Sequence, residues 1–269
     1  MNDVLIAAIV CFFAGMGAGL GTGFAGMSAA AVISPMLITF LHVDPYTAVG
    51  IALASDVLAS AVSAYNYGKN KNLDVRNGLI MMASVLVFTF VGSLASSYIP
   101  SKAMGSTSVF VTIFIGLKFI IKPVMTTKEQ MNSKSFKRKV IESILCGALI
   151  GFICGFVGAG GGMMMLLILV TVLGYELKTA VGTSVFIMSF TALTGSVSHF
   201  MLGSMPNLIY LGFCIVFTFI WAMIASKIAN KAKPSTLNRI TGIILVILGI
   251  AMIVVNYMNG QLIFSKGSL

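Results

Sequence analysis

Asp56 is the acidic residue to explain first. It lies near the middle of an apolar run, whereas Asp3, Asp44, Asp74, Glu129, Glu142 and Glu176 fall at the ends of runs or between them. An ionised carboxylate at the centre of a membrane span costs several kcal/mol unless it is paired, protonated or hydrated. The chemistry this suggests is uptake and release of a proton, with Ser60 and Ser63 on the same helical face at i+4 and i+7. The competing role is a structural Asp that caps a distorted helix.

Two glycine-rich breaks suggest a second chemistry. They read Gly21-Thr22-Gly23-Phe24-Ala25-Gly26 and Gly155-Phe156-Val157-Gly158-Ala159-Gly160-Gly161-Gly162. A helix that starts inside the membrane aims free backbone N–H groups and the positive end of its dipole at its first residues. Glycine lets an anion come close to those groups. The starts expected near Met27-Ser28 and near Gly160-Gly161-Gly162 are therefore candidate anion-binding points, together with Gly26 and Gly158. Thr22, Ser55, Thr183 and Ser184 supply hydroxyls nearby. No Lys or Arg lies mid-span, so backbone and hydroxyl groups would have to neutralise an anion. Close helix packing is the other use of such glycines, and it suits the four-residue ladder Gly147, Gly151, Gly155. The run Gly160 to Gly162 has no helical spacing and breaks a helix.

Other polar and sulfur-bearing residues suggest less. His199 ends a stripe of Thr191, Thr194 and Ser198 and reads as an interfacial, hydrogen-bonded histidine rather than a proton relay; His42 receives no role. Trp221 reads as lipid-facing or packing, and Met163-Met164-Met165 as flexible packing that could form an apolar wall beside the second break. Cys11, Cys146, Cys154 and Cys214 stand singly, without C-x-x-C spacing or a Cys-His cluster, so neither disulfides, metal nor cofactor is expected. H-E-x-x-H, G-x-S-x-G and Walker A patterns are absent, which argues against an enzyme and against ATP drive within this chain.

The elements that must position these residues follow from composition. Of 269 residues, 58% are apolar and 9% charged. Soluble domains carry about 25% charged residues, so a water-facing surface cannot be built. At roughly 20 apolar residues per crossing, there is room for about eight to ten helical passes. A β-barrel would show ten-residue alternation, which is missing. The net charge of +10 sits mostly in short loops such as Lys134, Lys137, Arg138 and Lys139. This is a topogenic distribution rather than a nucleic-acid surface. The apolar N-terminus lacks a basic leader and reads as a retained span.

The chain is written twice. A shift of 132 positions aligns Thr47-Ala48-Val49-Gly50 with Thr179-Ala180-Val181-Gly182 and pairs Gly15, Gly19, Gly23 and Gly26 with Gly147, Gly151, Gly155 and Gly158. Each half reads as five segments, at 4–22, 28–41, 46–67, 76–98 and 103–121, then 141–155, 162–173, 179–200, 207–226 and 237–257. The expected organisation is a first repeat over 1–125, a cytoplasmic linker over 126–139, a second repeat over 140–260 and a tail over 261–269. Basic loops at 69–76, 118–139 and 227–239 are expected inside, and the uncharged 201–206 outside. Equivalent segments then run in opposite directions, and both termini lie outside. The fold class is therefore all-α integral membrane, with two inverted five-segment repeats and glycine-broken hairpins between segments one and two. Short, glycine-interrupted segments in matching places point to a transporter's binding site.

The pattern Gly-x-x-x-Gly-Phe-x-Gly-x-Gly-Gly-Gly at 151–162, followed by Thr-Ala-Val-Gly-Thr-Ser at 179–184, resembles the TauE/SafE family over essentially the whole chain. The resemblance implies a multi-pass protein of the bacterial plasma membrane that exports sulfite or related organosulfur anions. The first half departs from the family pattern, with Ser28-Ala29-Ala30 in place of a glycine run, although Pro35 sits where a proline often follows. The expected function is a secondary transporter of a small anion, with proton coupling through Asp56. An uncoupled channel or facilitator is the alternative. The expected partners are the anion and the lipid bilayer, not nucleic acid; the sequence leaves the oligomeric state open.

Overall fold

A computed structural model of the chain describes residues 2–96, 113–114, 116–132, 136–157, 161–202 and 206–258. The described residues form helices and connections, with no strand among them. The helices are α1 (Asn2–Ala25), α2 (Ala30–Leu41), α3 (Pro45–Lys69), α4 (Val75–Ser96), α5 (Lys128–Asn132), α6 (Phe136–Val157), α7 (Gly161–Thr171), α8 (Leu177–Leu202), α9 (Leu208–Lys231) and α10 (Pro234–Met258). Residues 116–121 are also helical. Among the described residues, five helices are long and apolar enough to cross a membrane: Val4–Ala25, Pro45–Lys69, Leu177–Met201, Leu208–Lys231 and Pro234–Val255.

Local chemistry sets these boundaries. Asp44 accepts from the Thr47 N–H at 3.1 Å and Pro45 opens α3, while Asn207 accepts from the Ile209 N–H at 2.9 Å ahead of α9. The short helices are α2, with 12 residues, and α7, with 11. At 1.5 Å per residue each is roughly 17 to 18 Å long, well under a core of about 30 Å. Both end alike. His42 at φ 48° closes α2 with the Val43 N–H on Leu37 O, and Gly174 at φ 70° closes α7 with the Tyr175 N–H on Leu169 O.

The surface is apolar, unlike that of a water-soluble protein, and the interior combines an apolar core with buried polar groups. Leu5, Phe13, Phe90, Leu145 and Ile247 point outward, whereas Thr22, Asp56, Ser60, Ser63, Thr183, Ser184, Thr218 and Ser226 are buried. Lipid solvates the first group, and the second must find partners within the protein.

Glycines set the closest approaches. On α1, a Cβ at Gly15, Gly19 or Gly23 would collide with α9 at Phe217 and Thr218, at Trp221 and Ala222, and at Ala225 and Ser226. On α6, a Cβ at Gly147 or Gly151 would collide with α4 at Met81, Ser84 and Val85. The ladder is thus a packing surface in both halves, and Trp221 packs across Gly19. Helices α3 and α8 lie antiparallel: Gly50 near the start of α3 meets His199 and Phe200, and Gly182 near the start of α8 meets Tyr67.

Two expectations need adjusting. The segment expected to begin at 141 begins at Phe136, because Lys137 to Lys139 form an extra turn of helix within the stretch assigned to the linker. That stretch also contains α5. Most of the segment expected at 103–121, and the tail over 261–269, lie outside the described residues.

Candidate functional site around the first helix break

The first break is a helix end followed by a helix start. Gly26 takes φ +60°. Its N–H donates to Thr22 O at 3.0 Å and the next N–H, of Met27, donates to Gly21 O at 3.2 Å. The first is the single bond with which a left-handed glycine closes a helix, and the second reaches two residues further back than an ordinary helical bond. The freed carbonyls are then taken up one by one. Tyr67 Oη donates to Gly23 O at 2.9 Å and Thr241 Oγ1 to Phe24 O at 3.1 Å. Ser184 Oγ donates to Gly26 O at 3.3 Å and Thr22 Oγ1 to Met27 O at 2.8 Å. Hydroxyls from α3, α10, α8 and α1 thus cap four carbonyls between Gly23 and Met27 that lipid could not satisfy. With these oxygens engaged, the break offers little to a cation.

The other side of the break offers donors. Ser28 Oγ donates to Asp56 Oδ2 at 2.7 Å, and the Ala29 N–H also reaches the Asp56 carboxyl. The Ala30 N–H donates to Ser28 Oγ at 3.3 Å. Ser60 Oγ donates to the second carboxyl oxygen, Oδ1, at 2.8 Å. Asp56 is 1% exposed, and two hydroxyls and a backbone N–H hold it; no cation is among these partners. The carboxyl of α3 therefore occupies the N-terminal end of α2, the place where an anion was expected.

Of the expected site residues, Thr22, Gly26, Met27, Ser28, Asp56 and Ser184 come together here. Ser55 does not join them, because its hydroxyl donates back to Ile51 O of its own helix at 2.8 Å. Thr183 faces the α3–α4 connection instead, where Oγ1 accepts from the Asp74 N–H at 3.2 Å. In the second break, Gly158 and Gly160 lie outside the described residues. Gly161 and Gly162 are the first two residues of α7. Met188, the repeat mate of Asp56, is a buried methionine, so the carboxyl has no counterpart.

Sequence reasoning missed Tyr67 and Thr241. Tyr67 lies on the Asp56 face of α3, eleven positions on, and that spacing was a usable signal. Thr241 is 217 positions from Phe24 and gave none. His199 Nδ1 lies 3.1 Å from Tyr46 O and its ring is 4.2 Å from the Tyr46 ring, which makes it a hydrogen-bonded residue at the end of α8.

A second polar cluster lies at the Lys69 end. Tyr175 Oη and Asn77 Nδ2 donate to Asp74 Oδ2 at 2.9 and 2.7 Å. Burial, with the neighbouring Asp74 carboxylate, pushes the Tyr175 phenol far above its ordinary value. Asn72 Nδ2 donates to Asn230 Oδ1 at 2.7 Å, and Lys178 Nζ to Asn230 O at 2.8 Å.

Comparison with known proteins agrees with this architecture. Residues 11–252 match the family described as Sulfite exporter TauE/SafE. The chain is 24% identical over 248 residues to the probable membrane transporter protein YunE of Bacillus subtilis, covering 87% of this chain and 90% of that one. It is 28% identical over 217 residues to a probable membrane transporter of Methanocaldococcus jannaschii, covering 77% and 78%. A probable membrane transporter of Haemophilus influenzae is 24% identical over 262 residues, covering 91% and 97%. With the match spanning nearly the whole chain, the protein belongs to the TauE/SafE family of membrane transporters.

Proposed function

We propose that the protein is a secondary transporter that exports a small oxyanion, such as sulfite or an organosulfonate, across the bacterial plasma membrane. The observation that carries the reading is the seat at the start of α2. Ser28 Oγ and the Ala29 N–H already hold a carboxyl there, without a cation, inside the membrane. A group with this donor arrangement suits a carboxylate, sulfite or sulfonate oxygen equally well. In this reading the start of α7 at Gly161-Gly162 supplies the matching donors from the second half.

The inverted-repeat arrangement is part of the proposal. Three features support it. Helix α1 packs on α9 while its repeat mate α6 packs on α4, the mate of α9. Helices α3 and α8, which are mates, cross antiparallel. His42 and Gly174, which close the two short helices, stand 132 positions apart, the offset of the repeat. A transporter built this way carries its site where the two halves meet.

The experiment is a panel of sulfite, alkylsulfonates, carboxylates and chloride. Each is tested for thermal stabilisation of the purified protein and for flux in proteoliposomes. Sulfite or a sulfonate should stabilise the protein and be carried. Gly161→Leu should insert normally and lose both effects. Stabilisation by none of the panel, or unchanged flux in Gly161→Leu, would remove the anion site.

A further inference from the structure

Asp56 divides one face of α3 into two unlike parts. Toward Lys69 the face carries Ser60, Ser63, Asn66 and Tyr67, all buried. Toward Pro45 it carries Leu53, Ala52, Val49 and Ala48, with no polar side chain. The polar part faces α9. Asn66 Nδ2 donates to Ser226 Oγ at 2.8 Å, Asn230 Nδ2 to Ser226 O at 2.8 Å, and Asn72 Nδ2 to Asn230 Oδ1 at 2.7 Å. A line of polar groups therefore runs from the middle of the membrane to the Lys69 end, between α3 and α9.

Two hydroxyls along this line are unpartnered. Ser63 Oγ, between Ser60 and Asn66, and Thr218 Oγ1, on the α9 face of Ser226, are both fully buried without a hydrogen-bond partner. Buried hydroxyls pair with protein or with ordered water, and water is supported where several polar groups converge. Ser63 lies one turn from Ser60, whose hydroxyl donates to Asp56. A water at the unpartnered Ser63 hydroxyl would have the Ser60 and Asn66 side chains, one turn to either side, as its neighbours.

We propose that the α3–α9 seam is a water-filled proton path that connects Asp56 with the Lys69 end and closes it off from the Pro45 end. This rests on the transport reading only for its purpose; the path itself is a property of the seam. Other titratable groups on the packed elements do not intrude. Helix α2 has none. Tyr67 is engaged with Gly23 O, Lys178 with Asn230 O and His199 with Tyr46 O. Cys11 and Cys214 face each other between α1 and α9 beside Tyr210 O, toward the other end. Lys227 and Lys231 lie in the last turns of α9, and Lys69 in the last turn of α3, at the Lys69 end of the line.

Dicyclohexylcarbodiimide tests the path without using transport. It enters through lipid, and the protonated carboxyl adds across one of its C=N bonds to give an O-acylisourea that rearranges to a stable N-acylurea, so modification at Asp56 reports the protonation of that carboxyl. Sealed vesicles of both orientations are prepared, with orientation assigned by trypsin access to the Lys69–Lys71 loop, and pH is set separately on the two sides. Modification of Asp56, read by mass with Asp56→Asn as the blank, should follow the pH on the Lys69 side and ignore the other. Ser63→Val, which removes the hydroxyl from the middle of the line, should remove most of the dependence of Asp56 modification on the Lys69-side pH; Ser63→Ala serves if the valine does not fold. Modification that follows the opposite side, both sides equally, or neither, overturns the path. Sided modification in a protein that carries no anion would retain the path and remove the transport reading alone.

Discussion

Ser28 and Asp56 join the start of a half-length helix to the middle of a full-length one through a 2.7 Å hydrogen bond. The bond makes the carboxyl a resident occupant of α2's N-terminus. An anion approaching the same donors competes with Asp56, and protonation of Asp56 removes the competitor's charge. In the proposed transport reading, proton and anion would be linked at one set of atoms.

Asp56→Asn keeps shape and most hydrogen bonds but removes titration. Flux driven by a pH gradient should disappear, while exchange at equal substrate concentration on both sides persists. Gradient-driven flux at the parental level would make the carboxyl structural.

Gly26 has φ +60°, and a Cβ there would run into Ser184 Oγ. Gly26→Ala should destabilise the protein by about 1–3 kcal/mol, from left-handed strain plus the contact. Ser184→Gly in the same chain should recover only the contact's share. Thermal unfolding in detergent separates the two contributions.

At Gly19 a Cβ would lie 2.6 Å from Trp221 Cβ, whereas Gly212 has nothing within 4 Å. Gly19→Val should therefore separate α1 from α9 and cost at least about 1–3 kcal/mol as an overpacked contact. Gly212→Ala should be neutral. Monodispersity on size exclusion before and after heating distinguishes them.

His42 closes α2 at φ 48°, where the second repeat uses Gly174. Left-handed backbone costs a non-glycine residue about 1–2 kcal/mol, and glycine returns part of that gain as lost chain entropy. His42→Gly should raise stability by up to about 1 kcal/mol, seen as a higher unfolding temperature.

Tyr175 supplies a pH dependence with a definite sign. Its phenol ionises near the ordinary value of 10.0 when unfolded and well above it when folded. The unfolded state therefore loses its proton first, and stability is full below pH 10.0 and falls as pH rises above it. Tyr175→Phe should flatten part of this alkaline decline, measured as unfolding temperature against pH.

Segment positions were legible because hydropathy and glycine spacing are local signals. Breaks near Gly26 and Gly161, and the face shared by Asp56, Ser60 and Ser63, could be read in this way. The N-terminal turn of α6 was hidden because Lys137, Arg138 and Lys139 read as a charged loop, although a helix can extend beyond the bilayer. The partners of the first break were hidden because they come from elsewhere in the chain. Nothing near Ser28 announces Asp56, and nothing near Phe24 announces Thr241. Thr183 and Ser184 are adjacent hydroxyls on α8, but a helix turns about 100° per residue, and they reach different neighbours, Asp74 and Gly26.

The capping of Phe24 O by Thr241 also has a consequence for synthesis. The two residues are 217 positions apart, and the glycine face of α1 meets α9 only slightly earlier in the chain. At about 5–20 residues per second, the first helix waits roughly ten to forty seconds for its last partners to leave the ribosome. During that interval its exposed glycines and uncapped carbonyls must be sheltered by water or by the insertion machinery. A chain truncated before α9 would leave the glycine face of α1 without its partner and Phe24 O without its cap.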